Sequence, residues 1–171
     1  MGPATLWWSD ERCVPPDDER SNYRLVRETL LERLERPPHG LHRIRGELDP
    51  EQAAEKYDRL LDGVRLGLAF QGMGTDGHTA SLFPGSPGLE ERERRAVSVP
   101  HADIERVTMT LPVLSEARQV VFLVLGAEKA EAVARAFGAE PDPALPAALL
   151  RSRAAETVVL LDRAAAAKLD N

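Results

Sequence analysis

The sequence predicts an α/β fold, a mostly parallel sheet with helices on both faces, and three observations carry that prediction. Short apolar runs alternate with segments of helical periodicity along the chain, the order of strand–helix–strand units. One run, Gln119 to Leu125, is almost continuously apolar, as a strand covered on both faces would be. With 171 residues and 43% hydrophobic content the chain can bury one core, and no Gly/Ser linker, repeat or low-complexity block divides it. Residues 1–171 are therefore read as a single domain.

Thr5 to Ser9 reads as a short strand that ends in the charged turn Asp10-Glu11-Arg12. After the Pro15-Pro16-Asp17-Asp18 loop, Ser21 is placed to cap a helix in which Tyr23, Val26, Leu30 and Leu34 share the face expected to pack on a sheet. Asp49-Pro50-Glu51-Gln52 has the form of a capping box with proline at the first helical position. Ala53, Tyr57, Leu60 and Leu61 then supply a second buried stripe, up to Gly63. Leu66 to Phe70 reads as a strand that stops at the glycine-rich turn Gly72-Met73-Gly74-Thr75-Asp76-Gly77-His78. Val97 and Val99 mark another strand. Val107, Met109 and Leu111 alternate with Thr108 and Thr110 in the period of a half-buried strand, which Pro112 ends or turns into a helix. Ala130, Val133, Ala134 and Phe137 form the helical stripe after Gln119–Leu125, and Thr157 to Leu161 with an Asp162-capped tail repeats that order.

Charge and composition narrow the partners. Twenty-two basic against 28 acidic residues leave a net charge of −6, which repels phosphate backbones and anionic lipid, so neither nucleic acid nor membrane is an expected partner. An anionic small substrate would have to be held by a few local cations. The single cysteine, Cys13, forms no intrachain disulfide and reads as a packing residue in a reducing, cytoplasmic setting. The chain enters the Trp7-Trp8 pair with no stretch of signal-peptide character, and its longest apolar run, Val120 to Leu125, is far too short to span a bilayer. Trp7 and Trp8 read as core and cleft wall, His39, His42 and His101 as surface residues, and Glu91-Arg92-Glu93-Arg94-Arg95 as a solvated face.

In open sheets of this kind ligands bind beyond the carboxyl ends of the strands. Asp10-Glu11-Arg12, Gly72 to His78 and Gly126 to Lys129 all follow strands, which predicts that they converge on one crevice. Gly72, Gly74 and Gly77 permit positive φ and close approach of backbone to ligand, with N–H groups free to face an anion or a developing oxyanion. An imidazole, with an ordinary pKa of about 6.5, can take a proton from water near neutrality, so His78 is the candidate general base and Asp76 its orienting partner. The alternative for the same residues is a plain chain reversal with a surface histidine.

The run Gly72-Met73-Gly74-Thr75-Asp76-Gly77-His78-Thr79-Ala80-Ser81-Leu82-Phe83-Pro84 closely resembles the signature of 6-phosphogluconolactonases. Trp8-Ser9-Asp10-Glu11-Arg12-Cys13-Val14-Pro15 with Ser21-Asn22-Tyr23-Arg24, Arg106 to Pro112, and Gly126-Ala127-Glu128-Lys129-Ala130 look like that family's other motifs, in family order from about Leu6 to Leu169. The resemblance implies a Rossmann-like fold and hydrolysis of 6-phospho-D-glucono-1,5-lactone in the oxidative pentose phosphate pathway. It also implies His78 as base with Asp76 in support, substrate and phosphate contacts from Arg12, Lys129, Asp10, Gly72, Gly74 and Gly77, and no metal or cofactor. The oxyanion donors are left open between the N–H groups of the Gly72 loop and the Arg12 guanidinium.

Amino-sugar-phosphate deaminases share the Gly-x-Gly-x-Asp-Gly-His core but continue with Ala-Phe-Asn-Glu-Pro. The Ala80-Ser81-Leu82-Phe83-Pro84 found here lacks that carboxylate and favours the lactonase. Relative to lactonases, Gln71 stands where an aliphatic residue is usual. A preceding strand–helix unit with a Ser-Gly-Gly-Ser-type phosphate loop has no counterpart in the 171 residues. Two expectations follow from that difference: weak or absent activity, as in a sugar-phosphate-binding remnant, and homo-oligomerisation through an exposed sheet edge.

Overall fold

A computed structural model describes residues 4–169; Met1–Pro3, at the chain start considered above, lie outside the described residues. Among the described residues eight strands and six short α-helices alternate in the α/β manner expected. A parallel sheet of order β4-β7-β8 is built from Leu68–Gln71, Gln119–Val124 and Thr157–Leu161. A second parallel pair joins β1 (Thr5–Trp7) to β3 (Gly40–His42). The remaining strands, β2 (Asp10–Arg12), β5 (Ala96–Val99) and β6 (Arg106–Met109), form an antiparallel sheet of order β2-β6-β5.

That antiparallel sheet corrects the reading of Asp10-Glu11-Arg12 as a turn. The three residues pair with Thr108, Val107 and Arg106 in register, and strand alternation sends Asp10 and Arg12 to one face and Glu11 to the other. Glu11 is buried beneath the start of α1 (Asn22–Thr29), where its carboxylate accepts from the Asn22 and Tyr23 N–H groups at 2.7 Å each and from the Ser21 hydroxyl at 3.1 Å. A buried acid is tolerable because it satisfies the orphan donors of a helix N-terminus. Ser21 caps the helix as its position suggested, accepting from the Arg24 N–H at 3.1 Å. The helix stops at Thr29, before the stripe is complete, and both Leu30 and Leu34 are exposed.

Asp49 caps α2 (Pro50–Leu60) through Gln52 N–H, and Ala53, Ala54, Tyr57 and the following Leu61 face the core while Leu60 faces out. Tyr57 is the pin of this layer: its hydroxyl accepts from the Trp8 N–H and donates to a neighbouring carbonyl, with Trp8 O at 2.9 Å and His42 O at 3.2 Å. His42 is consequently half-buried rather than a surface residue, its ring stacked 4.1 Å from that of Trp7.

β6 is buried at all four positions, not at alternate ones, because strands flank it on both edges and α2 packs nearby. Pro112 opens α4 (Leu111–Ser115). Ala132, Val133 and Ala136 on α5 (Ala130–Phe137) share one hydrophobic cluster with Val120, Phe122 and Val124 of β7. The Asp162 side chain does cap the tail, accepting from Ala165 N–H at 2.7 Å, but residues 163–169 form turns rather than a regular helix. β3, α3 (Pro87–Glu90) and α6 (Pro146–Leu149) lie in short or Pro-containing stretches with no periodicity to betray them.

Candidate active site

The three polar segments do converge. Asp10 and Arg12 from β2, Gly72, Gly74 and His78 from the loop after β4, and Lys129 from the 3₁₀ turn after β7 line one cavity of about 560 Å³. Trp7, Trp8 and Phe70 supply apolar wall.

Within the Gly72 loop the His78 ring is fixed by Asp76. Its Nδ1 lies 2.6 Å from Asp76 Oδ1, and the same oxygen accepts from the His78 backbone N–H at 3.1 Å. Burial works to raise the Asp76 carboxyl, but those two bonds outweigh it and hold the group below its ordinary value. An ionised Asp76 selects the tautomer with the proton on Nδ1, which leaves Nε2 as the nitrogen able to accept one. Phe83 packs against the imidazole with ring centroids 4.8 Å apart, and His101 lies on Phe83 in turn at 4.6 Å.

The glycines have three different jobs. Gly74 has no room for a side chain, because a Cβ there would run into the His78 ring. Gly77 takes φ +81 and backs onto Leu145, so it shapes the loop and is not among the residues that line the cavity. Gly72 lines the cavity with open space where a side chain would be. Some of the loop N–H groups are already engaged: Gly74 donates to His78 O at 2.9 Å, and Gly77 donates to Gly74 O at 3.1 Å.

Asp10 is held by the Ser81 hydroxyl at 2.6 Å and by Asn22 Nδ2 at 3.2 Å. Burial pushes its carboxyl up, opposed by the Ser81 bond and by the nearby Arg12 and Arg106 charges. Arg12 is anchored by one bond, to Arg20 O at 2.5 Å, and among the described residues neither Arg12 nor Lys129 forms an ion pair with a carboxylate. Two cations without a salt-bridge partner on the wall of one cavity can attract an anion despite the net charge of −6. Cys13 lies outside this wall, and burial pushes its thiol up to about 11, which suits the packing role expected of it.

Two contributors escaped the sequence reading. Gln71, noted only as unusual, is buried and ties the segments together: its Nε2 donates to Ser9 Oγ at 2.8 Å and its Oε1 accepts from Thr79 Oγ1 at 3.1 Å. Ala80, on the cavity wall, has φ +49, a left-handed conformation that carries no side-chain signal in the sequence.

This α/β framework has known counterparts. Residues 3–159 match the family model described as glucosamine-6-phosphate isomerases/6-phosphogluconolactonase, and the chain belongs to that family. It is 41% identical to the 6-phosphogluconolactonase of Homo sapiens, over 96% of this chain and 70% of the human one. The crystal structure of 6-phosphogluconolactonase from Thermotoga maritima superposes with a TM-score of 0.80 at 34% identity, covering 92% of this chain and 72% of that one. The Trypanosoma brucei 6-phosphogluconolactonase structure gives 0.82 at 28% identity, covering 96% and 73%. A monomeric glucosamine-6-phosphate deaminase shares the fold at 21% identity. No described helix is long and apolar enough to cross a membrane.

Proposed function

We propose that this protein hydrolyses 6-phospho-D-glucono-1,5-lactone to 6-phosphogluconate, the lactone-opening step of the oxidative pentose phosphate pathway, in the cytoplasm. The observation that carries the reading is His78, held by Asp76, on the wall of a cavity that also presents Arg12 and Lys129. His78 Nε2 takes a proton from water as its oxygen bonds to the lactone carbonyl carbon. The carbonyl electrons move onto oxygen, where the Arg12 guanidinium stabilises them. When the intermediate collapses, the bond from C1 to the ring oxygen breaks, and the protonated His78 returns its proton to that oxygen. The carboxylic acid so formed ionises, so each turnover releases one proton to solvent. Lys129 acts as a point charge for the phosphate, and Arg12, on the wall of the same cavity, shares that duty.

Proton release followed at constant pH, with spontaneous opening subtracted, tests this. Wild-type protein is expected to exceed the background, and His78→Ala to lose about 10²–10⁴-fold of the gain. Undiminished turnover in His78→Ala removes the base assignment, and the absence of any turnover above background favours the alternative of a sugar-phosphate-binding remnant.

A further inference from the structure

We infer that Asp103 is a positioning residue for the candidate active site, acting on His78 through His101 and Phe83 and on Arg12 through Arg106. The roles of His78 and Arg12 rest on the lactonase reading, whereas the contacts themselves do not. Asp103 lies in the loop between β5 and β6 and is not among the residues that line the cavity. Its carboxylate accepts from Ile104 N–H at 2.8 Å and from Arg106 Nη2 at 3.0 and 3.2 Å, and it is paired with His101 Nδ1.

The first branch ends on the imidazole of His78. His101 and Asp103 form a second imidazole–carboxylate pair through Nδ1 and Oδ1, the same two atoms that join His78 to Asp76. Phe83 touches both imidazoles, with ring centroids 4.8 Å from His78 and 4.6 Å from His101, inside the range of about 4.5–7 Å that aromatic pairs favour. The bond to Asp76 fixes one nitrogen of the His78 ring but leaves its tilt about that bond free, and contact with Phe83 sets the tilt. Phe83 is only half-buried, so the core does not hold it by itself. His101 completes its support, and Asp103 keeps His101 there.

The second branch ends on the guanidinium of Arg12. In the β2–β6 register Arg12 stands directly opposite Arg106, a pairing of like charges that costs stability. Asp103 offsets it from the Arg106 side, where the arginine side chain is 10% exposed and the carboxylate is its ion-pair partner. The His101 bond, then the Ile104 N–H and the Arg106 charge, hold the Asp103 carboxyl well below its ordinary value, so it stays ionised near neutrality. Without it the repulsion across the strand pair rises, and Arg12, whose anchor is a single bond to Arg20 O, would shift.

Proton NMR of the imidazole resonances in the full chain tests the first branch without a substrate, the four histidines being assigned by substituting each in turn. Asp103→Ala and His101→Leu are both expected to move the His78 ring resonances, as Phe83→Leu does directly, while Glu131→Ala, at an exposed ion pair with Lys168, leaves them in place. In the lactone assay Asp103→Ala should lose about 10-fold in kcat, short of the roughly 10²-fold that a full ångström of misplacement costs. Asp103→Asn, which can still accept from His101, should recover part of that loss. His78 resonances indifferent to both Asp103→Ala and His101→Leu overturn the proposal whatever the assay gives. So does an unchanged kcat in Asp103→Ala when the wild type turns over. If the wild type shows no turnover above background, the lactonase reading fails and the resonances alone decide, a shift in both variants supporting the positioning role.

Discussion

The ring of His78 occupies the space that a side chain at position 74 would need. A Cβ on Gly74 would overlap the imidazole and stand 2.5 Å from the Asp76 carboxylate oxygen. Position 74 thus holds the histidine–carboxylate pair in place by lacking a side chain, a different role from the left-handed turn made by Gly77.

Gly74→Ala is accordingly expected to displace the His78–Asp76 pair and cost about 10²-fold in kcat, since misplacement by an ångström suffices for that. Gly72→Ala, where a Cβ meets nothing within 4 Å, should stay within several-fold of wild type. The lactone assay on both variants decides the matter, and equal losses would show that the space around His78 is not what Gly74 protects.

Arg12 and Lys129 share the cavity but reach it from different strands, so their loss should read differently. Removing one charged hydrogen bond to phosphate costs about 1.5–3 kcal/mol, or roughly 10- to 150-fold in kcat/KM. For Lys129→Ala most of that is expected in KM. For Arg12→Ala a fall in kcat should accompany it if, as proposed above, the guanidinium also stabilises the oxyanion. Kinetics on the phosphorylated lactone that are unchanged in both variants would refute the assignments.

Glu11 is expected to matter for stability and not for chemistry, since it lies on the strand face away from the cavity. Glu11→Ala leaves the Asn22 and Tyr23 N–H groups and the Ser21 hydroxyl without their buried acceptor and should cost about 2–4 kcal/mol in urea unfolding.

The pH dependence of the same site has a definite sign. Burial, only partly offset by the bonds from Asn22, Tyr23, Arg12 and Ser21, raises the Glu11 carboxyl above its ordinary 4.5. From 4.5 up to the folded value the native state binds more proton than the unfolded one, so the contribution of Glu11 falls as pH rises through that window and is constant above it. The destabilisation caused by Glu11→Gln should therefore shrink as pH rises from 4.5. A penalty that grows instead would mean the buried carboxyl is lowered, not raised.

Ala80 offers a test of strain. With φ +49 it sits in a conformation that β-branched residues avoid, so Ala80→Val should destabilise by about 1–3 kcal/mol, whereas Ala80→Gly should be within about 1 kcal/mol of wild type. Thermal and urea unfolding of the pair measure the difference.

What the sequence determined by itself was local. Ser21 and Asp49 announce their helices because a capping side chain bonds the backbone two or three residues ahead, and the loop from Gly72 to His78 announces itself by glycines whose spacing no helix or strand would tolerate. The crevice was legible too, since strand ends in an α/β fold gather on one side. Tertiary structure alone decided the rest. Asp10-Glu11-Arg12 looks like a turn until β6 pairs with it, and only that pairing separates the cavity-facing Asp10 and Arg12 from the core-facing Glu11. The bond partners of Gln71 lie 62 and 8 residues away, and the obstacle that Gly77 avoids is Leu145, 68 positions along the chain.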